Sequence, residues 1–180
     1  AAARDCCRYN DLGFHSWALF ELTEAATRIG DTATAEWAVK RLALRAGSSG
    51  TDWGLGALAH ARAFIAADED ADALYSEAIE RLGRTTIVIH LARTHLGYGE
   101  WLRRMNRRTD ARKHLDEAFR MFGSMGAEAF AERARRELIA AGKKVRKEPV
   151  NTGDELTAQE AQIARLAGAG LTNQEIGAQL

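Results

Sequence analysis

Ala33-Thr-Ala-Glu-Trp37, Ala71-Asp-Ala-Leu-Tyr75 and Ala111-Arg-Lys-His-Leu115 are three stretches in which a small residue and a large apolar one stand four apart. Four residues is close to one helical turn, so each pair falls on one face. The small member lets a neighbouring backbone approach and the large one fills the groove beside it. The stretches recur after 38 residues (33 to 71) and 40 (71 to 111). Each follows a turn signal, at Gly30-Asp31, at Asp68-Glu69-Asp70 and from Asn106 to Asp110, and each is preceded by an apolar-periodic run of helical length. The pattern, from about residue 14 to 142, predicts an all-α stack of antiparallel helix hairpins.

Leu55-Gly56 and Leu96-Gly97 fall at matching places in the first helices of successive hairpins. Glycine inside a helix costs about 1 kcal/mol relative to alanine, so Gly97 and Gly99 predict close helix packing that offsets the loss. The stretch resembles tetratricopeptide-like repeats, with periods longer than the usual ~34 residues. That resemblance implies a solenoid.

The 180 residues carry no net formal charge, and 28% of them are charged. This balance argues against a chain whose whole surface is a nucleic-acid footprint, so any basic patch is local. The chain has one Pro, and no uninterrupted apolar run long enough to span a membrane. Cys6 and Cys7 are adjacent, which disfavours an ordinary disulfide and fits free thiols in a reducing, cytoplasmic setting. The start Ala-Ala-Ala-Arg, without Met or a signal segment, reads as a beginning inside a longer protein.

After Ala141-Gly142 the apolar period stops. Lys143-Lys-Val-Arg-Lys147, the single Pro149 and Gly153 mark a basic linker. The expected organisation is a helical repeat domain over 1–142, a linker over 143–155 and a separate unit over 156–180.

That last unit holds Leu156-Thr-Ala-Gln-Glu160 and, fifteen residues on, Leu171-Thr-Asn-Gln-Glu175-Ile176. Thr157 with Glu160, and Thr172 with Glu175, are capping boxes: the hydroxyl accepts from first-turn amides and the carboxylate reaches back. Gly170 suits the left-handed closing position, and Leu171 can staple onto Ile176. Two short helices abut. The segment, with Ile163, Leu166 and Leu180, resembles the first two helices of the LuxR-type helix-turn-helix, whose recognition helix would follow Leu180. Gly177 departs from the alanine usual there and weakens the second helix by about 1 kcal/mol.

The resemblance implies contact with the DNA backbone by Thr172, Asn173 and Gln174 at a helix N-terminus. Capping alone would equally account for Thr172. Residues 156–180 carry Arg165 against Glu160 and Glu175, so this unit cannot supply phosphate neutralisation. Two basic groups lie elsewhere. Arg103, Arg104, Arg107, Arg108, Arg112 and Lys113 read as a solvated face around a turn, whereas Lys143 to Lys147 suits non-specific attraction to DNA.

Repeats, linker and helix-turn-helix in this order are similar to the C-terminal part of the large LuxR-family regulators of the maltose-regulator type. Leu91 to Arg104, Ala111 to Leu115 and Glu132 to Leu138 look especially like repeats of actinobacterial members. The resemblance implies an ATP-dependent transcriptional activator, with ATP held by an N-terminal module outside these residues. It also implies DNA as a partner, an effector ligand or protein on the repeats, and possible homodimers. The alternatives are a non-enzymatic helical-repeat scaffold for protein–protein interaction, and a sigma-factor region, which the upstream repeats disfavour.

No catalytic, cofactor or metal residues are assigned in this chain. Asp68, Asp70 and Asp72 alternate like a calcium loop, but Ala73 and Ile79 stand where such a loop needs Gly and Glu, and capping accounts for the acids. His90 and His95, five apart, do not share a helix face, and His15, His60 and His114 are dispersed. Ser48-Ser49-Gly50 lacks the lysine of a phosphate loop.

Overall fold

The computed structural model describes residues 15–143 and, beyond them, Leu166 and Gly168. The chain divides into two compact units, residues 1–144 and 145–180. Among the described residues the first unit is all helix: α1 His15–Arg28, α2 Thr32–Ser49, α3 Asp52–Ile65, α4 Asp68–Gly83, α5 Val88–Arg104, α6 Arg108–Ser124 and α7 Glu128–Ala140. Consecutive helices pack on one another, and α1 also packs on α3. Of the second unit, Leu166 and Gly168 are both helical, Leu166 half-buried and Gly168 exposed.

The second helix of each hairpin buries the same stripe. It is Ala35, Val39, Leu42 and Ala46 in α2, Ala71, Tyr75, Ala78 and Leu82 in α4, and Ala111, Leu115, Ala118 and Phe122 in α6. Spacings of four, three and four keep all members on one side of a 3.6-residue helix. The small members, first and third in α4 and α6 and first and fourth in α2, admit the neighbouring helix while the large ones fill the space between. Leu82, Leu115 and Phe122 are 1% exposed or less. Truncation of such a side chain, as in Leu115→Ala, costs about 2–5 kcal/mol through lost burial and a residual cavity.

The first hairpin corrects the expected register. Ala33 is exposed and Trp37 is 44% exposed; the buried stripe begins two residues later, at Ala35. The true repeat offsets are therefore 36 (35 to 71) and 40 (71 to 111). Trp37 instead lies on the surface beside Arg41, whose guanidinium carbon is 5.8 Å from the ring centroid.

Helix ends follow local chemistry. Asp31 caps α2 by accepting from the Thr34 amide at 3.1 Å, and Thr51 caps α3 by accepting from the Gly54 amide at 3.1 Å. Gly50 closes α2 in the left-handed region (φ 61°), where its amide donates to Ala46 O at 2.9 Å. Asp68, Glu69 and Asp70 are not the turn before α4 but its first turn, where carboxylates meet the positive end of the helix dipole. Capping does not account for them, since the N-cap of α4 is Ala67 and makes no side-chain cap.

Glycines mark the closest crossings. A Cβ on Gly99 would lie 2.5 Å from Leu115 Cγ, and one on Gly56 2.8 Å from Leu82 Cγ, so each lets its own partner helix in. Gly97 faces backwards, with a Cβ position 3.0 Å from His60 Nε2 on α3 and 3.5 Å from the Tyr75 ring on α4. Gly56 and Gly97 thus meet different neighbours, contrary to the matching places expected of them.

Candidate functional site

A cavity of about 550 Å³ lies where α1, α5 and α7 come together over α3 and α4. The sequence places charge there. Glu24 and Arg28 come from α1, Glu100, Arg103 and Arg104 from α5, and Arg133, Arg136 and Glu137 from α7; Phe64, Tyr75 and Gly97 contribute the apolar part. Five arginines face three glutamates.

Most of these charges are spent on one another. Arg133 grips Glu100 through two hydrogen bonds of 2.6 and 2.7 Å and reaches Glu24 at 3.0 Å. Arg103 pairs with Glu137 at 2.6 Å. Arg28 lies 3.0 Å from Glu24 and 3.7 Å from Glu100. Arg136 is held by Glu132, one turn back on its own helix, at 3.1 Å. Arg104 has no hydrogen bond or ion pair among the described residues, although its charge acts at longer range on Tyr75 and Glu100.

Behind this groove Arg93 is 8% exposed and held by Glu21 and Glu24. Its guanidinium carbon sits 4.8 Å from the Phe20 ring centroid and 5.4 Å from that of Phe130. A buried arginine is tolerable only when its charge is matched in this way; both terminal nitrogens are bonded, while Nε has no partner among the described residues. Burial pushes the Glu100 carboxyl up to about 7; Arg28 opposes the shift, while Glu137 and Glu24 add to it.

Tautomers at the floor follow from hydrogen counting. Thr94 Oγ1 donates its single proton to His90 O at 2.9 Å, so at its 2.9 Å contact with His60 it accepts from Nδ1–H. His60 Nε2 then carries a bare lone pair beside Gly97, buried and without a partner among the described residues. Burial holds His60 down at about 3, and the ring is neutral. Tyr75 is 1% exposed and lines the groove, and its hydroxyl has no hydrogen bond among the described residues. Burial raises its pKa.

Other predicted groups fall elsewhere. Thr157, Glu160, Thr172, Asn173, Gln174 and Glu175 lie outside the described residues, as does most of the basic linker. Lys143 is paired with Asp116. The basic cluster around the α5–α6 turn is not simply a solvated face: Arg107 binds Asp72 at 2.7 Å, Lys113 binds Asp110 at 3.2 Å, and Arg112 donates to Ala141 O at 3.1 Å. Tyr98 donates to Asp72 at 2.6 Å and Trp101 to Asp68 at 3.1 Å, so the acids of α4 tie the second hairpin to the third. The Tyr98 hydrogen bond, then Arg107, holds the Asp72 carboxyl below the usual range against burial.

His95 and His114 are not dispersed. They face each other across the third hairpin with Nδ1 atoms 3.0 Å apart. One ring must donate and the other accept, and burial, followed by the neighbouring ring, holds His95 down at about 4. Among the described residues no three His, Cys, Asp or Glu side chains converge as metal ligands. No described helix is long and apolar enough to cross a membrane.

Sequence reasoning missed the groove, though it carried one signal. Arg93 interrupts the apolar stretch of α5, and Glu24 sits on the buried side of α1. Isolated charges on a buried face require each other.

Comparison with family models, with curated proteins and with solved structures found no match for the chain.

Proposed function

We propose that this chain belongs to a DNA-binding transcriptional regulator, in which the helical repeats sense an effector or partner and position a C-terminal helix-turn-helix. The observation that carries the reading is the pair of Leu-Thr-x-Gln-Glu helix starts at 156–160 and 171–175, which resembles the LuxR-type positioning half. The groove of α1, α5 and α7 supports the sensing part. It joins helices from both ends of the described repeats through charge pairs, and occupancy that re-pairs those charges is a means of altering how the ends are held. Thr172, Asn173 and Gln174 place amides and short polar groups at the phosphate backbone. Sequence reading falls to the recognition helix that follows in this family. By the same resemblance ATP belongs to an N-terminal module, the regulator works in the cytoplasm, and pairing of two copies doubles the DNA contact.

The test is capture of genomic DNA fragments by the intact protein, followed by fluorescence anisotropy on the enriched fragments. Joint substitution of Thr172, Asn173 and Gln174 by Ala is expected to weaken binding about tenfold across all captured sequences, the mark of lost backbone contact. An intact protein that captures no DNA fragment would leave the reading without support and favour a repeat scaffold.

A further inference from the structure

We infer that the groove between α1, α5 and α7 takes a small anionic ligand bearing a phosphate or carboxylate, which its arginines hold at the mouth while Tyr75 reads a polar group at the floor. The inference rests on the reading of this groove as the sensing site and names the chemistry of what is sensed.

Charge points first to an anion. The lining has two more arginines than glutamates, and the unequal share is visible in the pairing. Glu24, Glu100 and Glu137 are all engaged by Arg133, Arg103 or Arg28. Among the described residues Arg104 is left without a partner, and Arg136 has only an exposed contact within its own helix. A cation entering here would meet no unengaged carboxylate. An anion would meet Arg104, exposed at the mouth, a planar group with five donors that no described residue engages.

The floor supplies the second, independent observation. Tyr75 is almost wholly buried as a residue and lines the groove, and its hydroxyl has no hydrogen bond among the described residues. A ligand with a second polar group would give this hydroxyl a hydrogen-bond partner at the floor. Gly97 keeps access open, since a Cβ there would lie 3.6 Å from that hydroxyl and 3.0 Å from His60 Nε2. The volume of about 550 Å³ suits a small organic ligand and is far too small for a folded partner.

The experiment titrates the full chain with phenyl phosphate, benzoate, phenol and benzylamine, and with inorganic phosphate alone, following the Gly97 amide and arginine Nε–H signals by NMR. Phenyl phosphate and benzoate are expected to shift the Gly97 and Arg104 signals saturably. Arg104→Gln should raise the dissociation constant about tenfold, and Tyr75→Phe should leave benzoate binding within about twofold while removing the preference for 4-hydroxybenzoate, titrated alongside as the probe with a second polar group, over benzoate. Arg120→Gln, outside the groove, should change nothing. Equal or stronger binding of benzylamine or phenol at the same signals would overturn the anionic class while keeping the groove as a site. Absence of a saturable shift at Gly97 with every probe would overturn the sensing-site reading as well. Inorganic phosphate matching phenyl phosphate would assign recognition to the arginines alone and overturn the role given to the floor.

Discussion

Arg133 on α7 donates to Glu24 on α1 at 3.0 Å, joining residues 109 apart in the chain. The Arg133 side chain is 26% exposed and that of Glu24 12%, and the contact sits between two others, Arg133 with Glu100 and Glu24 with Arg93. The described repeats are therefore tied end to end by charge, while neighbouring hairpins pack through apolar stripes, supplemented between the second and third by hydrogen bonds to Asp68 and Asp72. Exposed ion pairs contribute about 0–1 kcal/mol, but truncating one member of a buried set leaves its partner's charge unmatched.

A double-mutant cycle tests this tie. Glu24→Gln and Arg133→Gln are each expected to lower unfolding free energy by about 2–4 kcal/mol in urea denaturation, with a coupling of about 1–2 kcal/mol between them. Coupling below about 0.5 kcal/mol would mean that α1 and α7 are held together by something other than this pair.

Glycines give a contrast inside one chain. Gly47 lies in α2 with nothing within 4 Å of a Cβ, so Gly47→Ala should stabilise by about 0.5–1 kcal/mol through helix propensity. Gly99→Ala gains the same propensity but drives a methyl to 2.5 Å from Leu115 Cγ, so overpacking is expected to win by about 1–3 kcal/mol. Thermal unfolding monitored by circular dichroism should therefore move in opposite directions for the two. Equal stabilisation would refute the close crossing of α5 and α6.

Tyr98→Phe tests the joint between the second and third hairpins. It removes the hydrogen bond that does most to lower the Asp72 carboxyl, leaving Arg107 to hold it. A loss of about 1.5–3 kcal/mol is expected, together with an upward move of the Asp72 titration seen by carboxyl-carbon NMR. An unchanged Asp72 titration would deny the hydrogen bond its role.

The sequence made the hairpins legible wherever one large apolar residue stood alone on the right turn. Tyr75 and Leu115 are such residues, and their register held. In α2 both Trp37 and Val39 compete, and the larger one is on the outside: Trp37 has Arg41 beside its face, which lets an aromatic ring remain on the surface. Size alone could not choose between them. The groove was not legible because its members come from residues as far apart as Glu24 and Glu137, and their pairing depends on how many hairpins separate them. Only the unexpected burial side of Glu24 and Arg93 hinted that charges meet inside. His95 and His114 stand on opposite sides of the turn at Asn106, a relation that becomes visible once that turn is fixed.

Buried imidazoles make the repeat unit acid-sensitive. His60, His90 and His95 are held at about 3, about 4 and about 4, in each case first by burial. His90 has both ring nitrogens buried without partners among the described residues and is ringed by Trp17, Phe20 and Trp53 at 4.8, 5.2 and 5.6 Å. A histidine whose folded pKa lies below the unfolded 6.5 binds more protons when unfolded, so stability that is complete above 6.5 is lost as pH falls towards 4. Glu100 acts in the opposite direction: its carboxyl, raised to about 7 in the fold, gains stability as pH falls from there towards 4.5. Three imidazoles outweigh one carboxyl, and each pKa unit corresponds to about 1.4 kcal/mol, so the net loss between about pH 6.5 and 4.5 is expected to reach several kcal/mol. His90→Phe keeps a ring of similar size in an aromatic pocket and removes both orphan nitrogens. It should raise the urea midpoint most at about pH 5 and flatten the pH dependence, whereas a parallel offset at every pH would show that His90 contributes packing and no titration.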